Sequence, residues 1–192
     1  MGPDDSPENH KLLGSRGKRT ELIRQIAKAL LNAGVAQIPL RELAALLGTS
    51  DRMLLYYFDD KADLVRSSLG EISLRLAAKL VAVLPTGRHS PAKIVSIVLP
   101  LFLSPSMSQY MNVWSDIAAR GARGEAPFQD IARGAVENWL NWLEDRLDLR
   151  RGTNRRHTAT AILTVLEGSR LLEASSPGSM EGATAILSRC FR

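Results

Sequence analysis

The sequence predicts an all-α protein of about nine helices, and three observations predict it. Nowhere do β-branched residues alternate with polar ones over a length that would make a strand. Apolar residues recur instead at helical spacing along almost the whole chain. Pro, Gly or Ser punctuates the gaps between these periodic stretches.

The elements follow in order. Residues 1–18, rich in Pro, Gly, Ser, Asp and Lys, read as a flexible arm that turns basic at Arg16, Lys18 and Arg19. Thr20 is the expected N-cap of the first helix, in which Leu22, Ile26, Ala29, Leu30 and Ala33 keep helical spacing. "NAG" at 32–34 ends it with Gly34 as a capping glycine. Pro39 opens the second helix, where Leu40, Leu43, Ala44 and Leu47 repeat at i, i+3, i+4 and i+7. Gly48 ends that helix and Ser50 caps a third. Asp60 caps a fourth that runs to about Leu84, where "PTGRHSP" breaks the chain. Five more helices are expected near 91–103, 106–120, 128–148, 155–174 and 179–190.

Composition narrows the class. A chain of 192 residues with 45% hydrophobic residues builds one domain or two small ones with a sizeable core. The net charge of +5 and pI near 9.7 suit a polyanionic partner without requiring one. The single cysteine, Cys190, forms no internal disulfide, so no oxidising compartment is needed. The N-terminus lacks the apolar core of a signal peptide, and the apolar stretches are too interrupted to span a bilayer. The expectation is a soluble cytoplasmic protein with no membrane partner.

A helix, a glycine-containing turn and a short helix at 40–57 make a helix-turn-helix. Two helices cross closely at such a turn, so it needs a small residue, and Gly48 provides one. The second helix must bury one face and offer the other to a DNA major groove. At about 100° per residue, Leu54 pointing inward brings Tyr57 and Phe58 to the same side. Arg52 and Tyr56 then fall almost opposite, flanked by Met53 and Leu55. Arginine binds guanine O6 and N7 in a bidentate way, and a tyrosine hydroxyl reaches phosphate. Across 11–57, eight Lys or Arg stand against three acids. Lys18 and Arg19 at the end of the arm have the charge to follow the DNA backbone or enter a minor groove. A solubilising arm is an equally good reading of them.

The elements "IAKALLNAG", "LRELAALLGTS" and "YYFDDKADL", in residues 20–69, together resemble the N-terminal DNA-binding domain of TetR-type repressors. The resemblance implies a DNA-binding domain over 19–66 and a helical ligand-binding and dimerisation domain over 67–192. It implies a recognition helix from Ser50 to Tyr57, with Asp51, Arg52 and Met53 near base edges. Tyr56 and Tyr57 take positions that contact phosphates or bases, and Arg41 a backbone-contact position. Lys61 matches the family's phosphate-binding lysine, in a first turn whose N–H groups can face an anion. The chain departs from the family at Leu55, where tyrosine is common, at Arg52, often glycine, and at Ile38 and Pro39, usually threonines. Leu55 is expected to forgo a phosphate interaction, and Arg52 to add one with a base.

Residues 70–192 carry no catalytic constellation. His10, His89 and His157 lie far apart, with no CxxC, HExxH or GxGxxG. No catalytic residue, metal or cofactor is expected. Met107, Tyr110, Met111, Trp114, Ile117 and Ala118 form one helical stripe, which reads as core packing or as the wall of a pocket for a small apolar ligand. Phe102 and Trp139 are placed to join such a pocket. The resemblance implies an inducer pocket lined by these middle helices.

In 128–148, Phe128, Ile131, Ala135, Trp139, Trp142 and Leu143 make a wide apolar face. In 155–174, Ala159, Ile162, Leu163, Val165, Leu166, Leu171 and Leu172 cover more than one stripe, so this helix is expected to be buried on two sides. Gly168 would permit close approach of a partner helix. The resemblance implies a homodimer that sets two recognition helices about one DNA turn apart. Arg150, Arg151, Arg155 and Arg156 read as favourable charge near a helix C-terminus.

The expected function is a dimeric repressor of a double-stranded DNA operator, released by an unknown small-molecule effector that shifts the helix starting near Asp60. Control by a protein partner, and a helical carrier or enzyme, are the rival readings.

Overall fold

The structure, a computed structural model, describes residues 7–34, 39–84 and 86–191, with side chains from Arg16 onward. The described residues form α1 (Pro7–Ala33), α2 (Leu40–Leu46), α3 (Asp51–Tyr57), α4 (Lys61–Val83), α5 (Pro91–Leu103), α6 (Ser108–Ala122), α7 (Phe128–Arg146), α8 (Arg155–Ser175) and α9 (Ala183–Arg189). They contain no strand, and a single 3-10 turn, Pro105–Met107, precedes α6. None of the helices is by itself long and apolar enough to cross a membrane. The chain divides into two compact units, Met1–Arg75 and Leu76–Arg192. The division falls inside α4, later than the boundary read after residue 66.

In the first unit, α1 begins at Pro7 and not at Thr20. Residues 7–18 of the expected arm are therefore helical, while residues 1–6 lie outside the described residues. Proline fits a first helical turn, and Lys, Arg, Leu and Glu between residues 8 and 19 are good helix formers. Thr20 sits mid-helix, its hydroxyl donating to the Arg16 carbonyl at 3.0 Å. Gly34 closes the helix at φ 79° and donates to the Leu30 carbonyl at 2.8 Å. Pro39 stands just ahead of α2, in extended backbone. Gly48 turns the chain at φ 63°, where a side chain would be strained. Ser50 caps α3, its Oγ accepting from the Met53 amide at 3.2 Å. Asp60 caps α4, its Oδ1 accepting from the Asp63 amide at 2.7 Å. Leu22, Ile26 and Leu30 of α1, Leu43 of α2, Leu54 of α3 and Leu64 of α4 are buried, together with Phe58. Each such side chain contributes about 1.5–3 kcal/mol of burial.

In the second unit, α5 is apolar over most of its girth and buries Ile94, Val95, Val98, Leu99 and Phe102. These join Met107, Met111, Leu143, Leu147, Ile162 and Leu166 in one core. α6 packs on α7 at Gly121, where an added Cβ would lie 2.9 Å from the Ala132 Cβ. A side chain there would hold the two helices apart. Arg155 donates to the carbonyls of Glu144 and Leu147, and Arg156 pairs with Glu137 and Glu144. The end of α7 is thus closed by the positive charge that a helix C-terminus favours. An isolated bridge follows, with the His89 amide donating to Arg146 at 2.7 Å and the Asp148 amide to His89 at 2.8 Å. Before α9, Glu173 accepts from the Gly178 and Met180 amides at 2.8 and 3.0 Å. These bonds hold the Glu173 carboxyl below the usual range, against a smaller opposing effect of burial. α9 is shorter than the 179–190 expected, because this turn occupies 176–182.

Candidate nucleic-acid interface

α3 has the two faces its wheel predicts. Leu54 is 0% exposed and Phe58 2%, whereas Tyr56 is 70% exposed. Asp51 and Arg52 are exposed as well, and Tyr57 is half-buried with its ring edge-on to Tyr56, centroids 5.1 Å apart. Met53 and Leu55 stand at the flanks, both exposed. Arg52 has no ion-pair partner among the described residues. Ser50 uses an oxygen lone pair for its cap and keeps its hydroxyl proton for another acceptor. Lys18, Arg41 and Lys61 are also exposed. Ile38 lies outside the described residues.

Two placements differ from expectation. Arg19 does not extend from an arm. It donates to the Tyr57 carbonyl at 3.0 Å, to Asp63 at 3.0 and 3.2 Å and to Ser67 at 3.1 Å, and its guanidinium lies 4.9 Å from the Phe58 ring centre. It spends its donors inside the unit, where it ties the C-terminal end of α3 to the first turns of α4. The first turn of α4 is partly occupied, since Asp60 takes the Asp63 amide; Asp63 in turn takes the amide of Asp59, ahead of the helix, at 3.3 Å.

The six residues read as pocket lining are placed in two settings. Phe102, Met107 and Met111 are in the core, with Tyr110 and Trp139 packed against it. The Phe102 and Trp139 rings meet edge-on at 5.4 Å. Trp114 lines a groove of about 610 Å³ between α6, α7 and α8. Val136, Leu140 and Leu163 make its apolar walls, and Glu167 and Arg170 bring charge into it. Arg170 donates to Ser115, and its Nε is 4.0 Å from the Glu167 carboxylate. That Nε is buried without a hydrogen-bond acceptor among the described residues. Burial pushes the Glu167 carboxyl up, partly offset by a hydrogen bond from Trp114 and by the charge of Arg170. The sequence reading missed this pair, and its only signal was two charged residues three apart beside the apolar run of Ile162 to Leu166.

α8 is two-sided. Ala159, Ile162 and Leu166 are fully buried, while Leu171 is 61% and Leu172 58% exposed. Ile186 of α9 is 62% exposed. Gly168 has open space where its Cβ would be, with no described residue beyond its own helix within 4 Å of it.

No family model matches the chain, and no curated protein does. Solved structures do. A transcriptional regulator of the TetR family from Cytophaga hutchinsonii superposes with a TM-score of 0.72 at 13% identity, over 93% of this chain and 92% of that one. A transcriptional regulator from Rhodococcus sp. Rha1 gives 0.71 at 20% identity, over 90% and 95%. A protein from Saccharomonospora viridis, solved in complex with choline, gives 0.67 at 16%, over 92% and 95%. The helix-turn-helix, the all-helical second unit and these superpositions agree that the chain has the fold of TetR-family transcriptional regulators.

Proposed function

We propose that the protein is a sequence-specific DNA-binding transcriptional regulator of the TetR type. It acts as a homodimer and leaves its operator when a small molecule binds the second unit. The observation that carries this reading is the division of α3. Leu54 and Phe58 anchor it, and Arg52 and Tyr56 stand outward on a helix of major-groove size. Arg41, Ser50, Lys61 and Tyr57 supply phosphate contacts around it, and Asp51 and Met53 reach base edges beside Arg52. Arg19 fixes the helix and takes no part in contact.

The exposed Leu171, Leu172 and Ile186, with the open flank of Gly168, suit a second copy of the chain. The groove at Trp114 suits a small, mainly apolar effector whose polar group meets Glu167 and Arg170. A positive centre against Trp114 and Glu167, of the kind the S. viridis protein's choline carries, is one such group. α4 contributes residues to both units, so an effector that favours one placement of α4 changes DNA affinity.

The test is selection of duplex from a random pool by the full chain, followed by the double variant Arg52→Ala and Tyr56→Ala. The reading expects a recurrent two-fold sequence, lost in the variant while the dimer persists. A chain that selects no sequence overturns it.

A further inference from the structure

The outward surface of α3 mixes polar and aliphatic side chains, with the 70% exposed Tyr56 beside Arg52. Arg52 is its central charge, and Asp51 lies at the N-terminal edge. On the two flanks stand Met53, 44% exposed, and Leu55, 49% exposed. Neither serves the unit's interior, which Leu54 and Phe58 already fill at 0% and 2% exposure. A seven-residue helix thus turns two aliphatic side chains toward water, one on each side of an arginine.

The major groove offers a matched set of groups. Guanine presents O6 and N7 to a bidentate arginine, and the thymine C5 methyl is the groove's one apolar feature. With α3 docked so that Arg52 meets a base pair, Met53 and Leu55, on either side of it, would face the neighbouring base pairs, Leu55 turning from the backbone to a base. The basic residues Arg41 and Lys61 of the same unit supply charge complementary to phosphate.

We propose that each operator half-site holds a guanine–cytosine pair read by Arg52, with a thymine methyl on either side seated against Met53 and Leu55. These two residues then set specificity through a group that carries no hydrogen bond. The inference rests on the DNA-reading role of α3 proposed above, and goes on to name what that helix selects.

The experiment uses the full chain and the duplex selected from a random pool. The half-site is resynthesised with deoxyuridine in place of thymine, which removes the C5 methyl and leaves the pairing edge intact. Binding to this duplex is expected to weaken by about fourfold for each methyl removed. In Met53→Ala and Leu55→Ala the penalty at the corresponding thymine should shrink, because the shorter side chain withdraws most of the aliphatic surface from the methyl. Equal binding to thymine and uracil duplexes overturns the proposal, as do selected half-sites without thymine beside the guanine. A uracil penalty that stays undiminished in both variants overturns the assignment to these residues. Those outcomes leave DNA reading by α3 intact, whereas failure to select any sequence removes the DNA-binding reading itself.

Discussion

Arg19 and Asp63, 44 residues apart, share two hydrogen bonds at 3.0 and 3.2 Å, and with the Arg19 bond to the Tyr57 carbonyl they fasten the end of α3 to the start of α4. Burial works to raise the Asp63 carboxyl. The bonds from Arg19, from the Asp59 amide and from Ser67 outweigh it and hold the carboxyl below the usual range. A depressed carboxylate adds stability above its unfolded pKa and loses it as pH falls through the folded value. Asp63→Asn should therefore cost about 1 kcal/mol at pH 7, with the gap closing below about pH 4. Urea unfolding of the two proteins across pH checks it, and a gap that widens in acid contradicts it.

Arg19→Lys keeps the charge but loses the planar fork that meets Tyr57, Asp63 and Ser67 together. Weaker operator binding is expected with little change in its salt dependence, since no phosphate contact is removed. Lys61→Ala should behave oppositely, weakening binding to all sequences and lowering the salt slope by about 1. Titrations at several salt concentrations separate the two.

Two glycines should respond oppositely to alanine. At Gly121 the new Cβ would meet Ala132 at 2.9 Å and the Phe128 carbonyl at 3.1 Å, and α6 must move off α7. A loss of about 1–3 kcal/mol is expected. At Gly168 the space is open, and the better helix propensity of alanine should add up to about 1 kcal/mol to the subunit. If a partner helix packs there, the same change weakens the dimer. Thermal unfolding at two protein concentrations reads both effects.

Leu172→Glu places a charge on the exposed side of α8 without touching the buried Ile162 and Leu166. Sedimentation velocity should show monomers with unchanged helical content, and operator binding should fall with the dimer. A dimer that survives the change places the interface elsewhere.

Glu167 is a carboxyl raised by burial, so its ionised form costs folding free energy as pH rises above its unfolded value. Glu167→Gln should be more stable than the parent at pH 7, and the advantage should vanish near pH 4. Melting temperatures at the two pH values test this.

Most of the first unit was legible because its signals are local. Gly34, Gly48, Ser50 and Asp60 act on residues within four positions, and the pattern of Leu54, Tyr57 and Phe58 needs only helical geometry. The role of Arg19 was not legible, since its partners lie 38 to 48 residues away. The start of α1 was missed because glycines and charges resemble a linker when no apolar stripe marks the helix. The stripe of Met107, Met111 and Trp114 was visible, but its division between core and groove was not. That division depends on where α7 and α8 lie, which no spacing within α6 records. For the same reason Gly121 gave no sign of its close neighbour.

The aliphatic side chains of Leu171, Leu172 and Ile186 have a consequence for dosage. If a second copy shelters them, as proposed above, the chain responds to its abundance more than proportionally. While pairing is scarce, doubling the number of chains raises the population of pairs roughly fourfold. Such a regulator would fall silent in dilute conditions before any effector arrives, and its sensitivity would be tuned as much by synthesis rate as by chemistry in the groove.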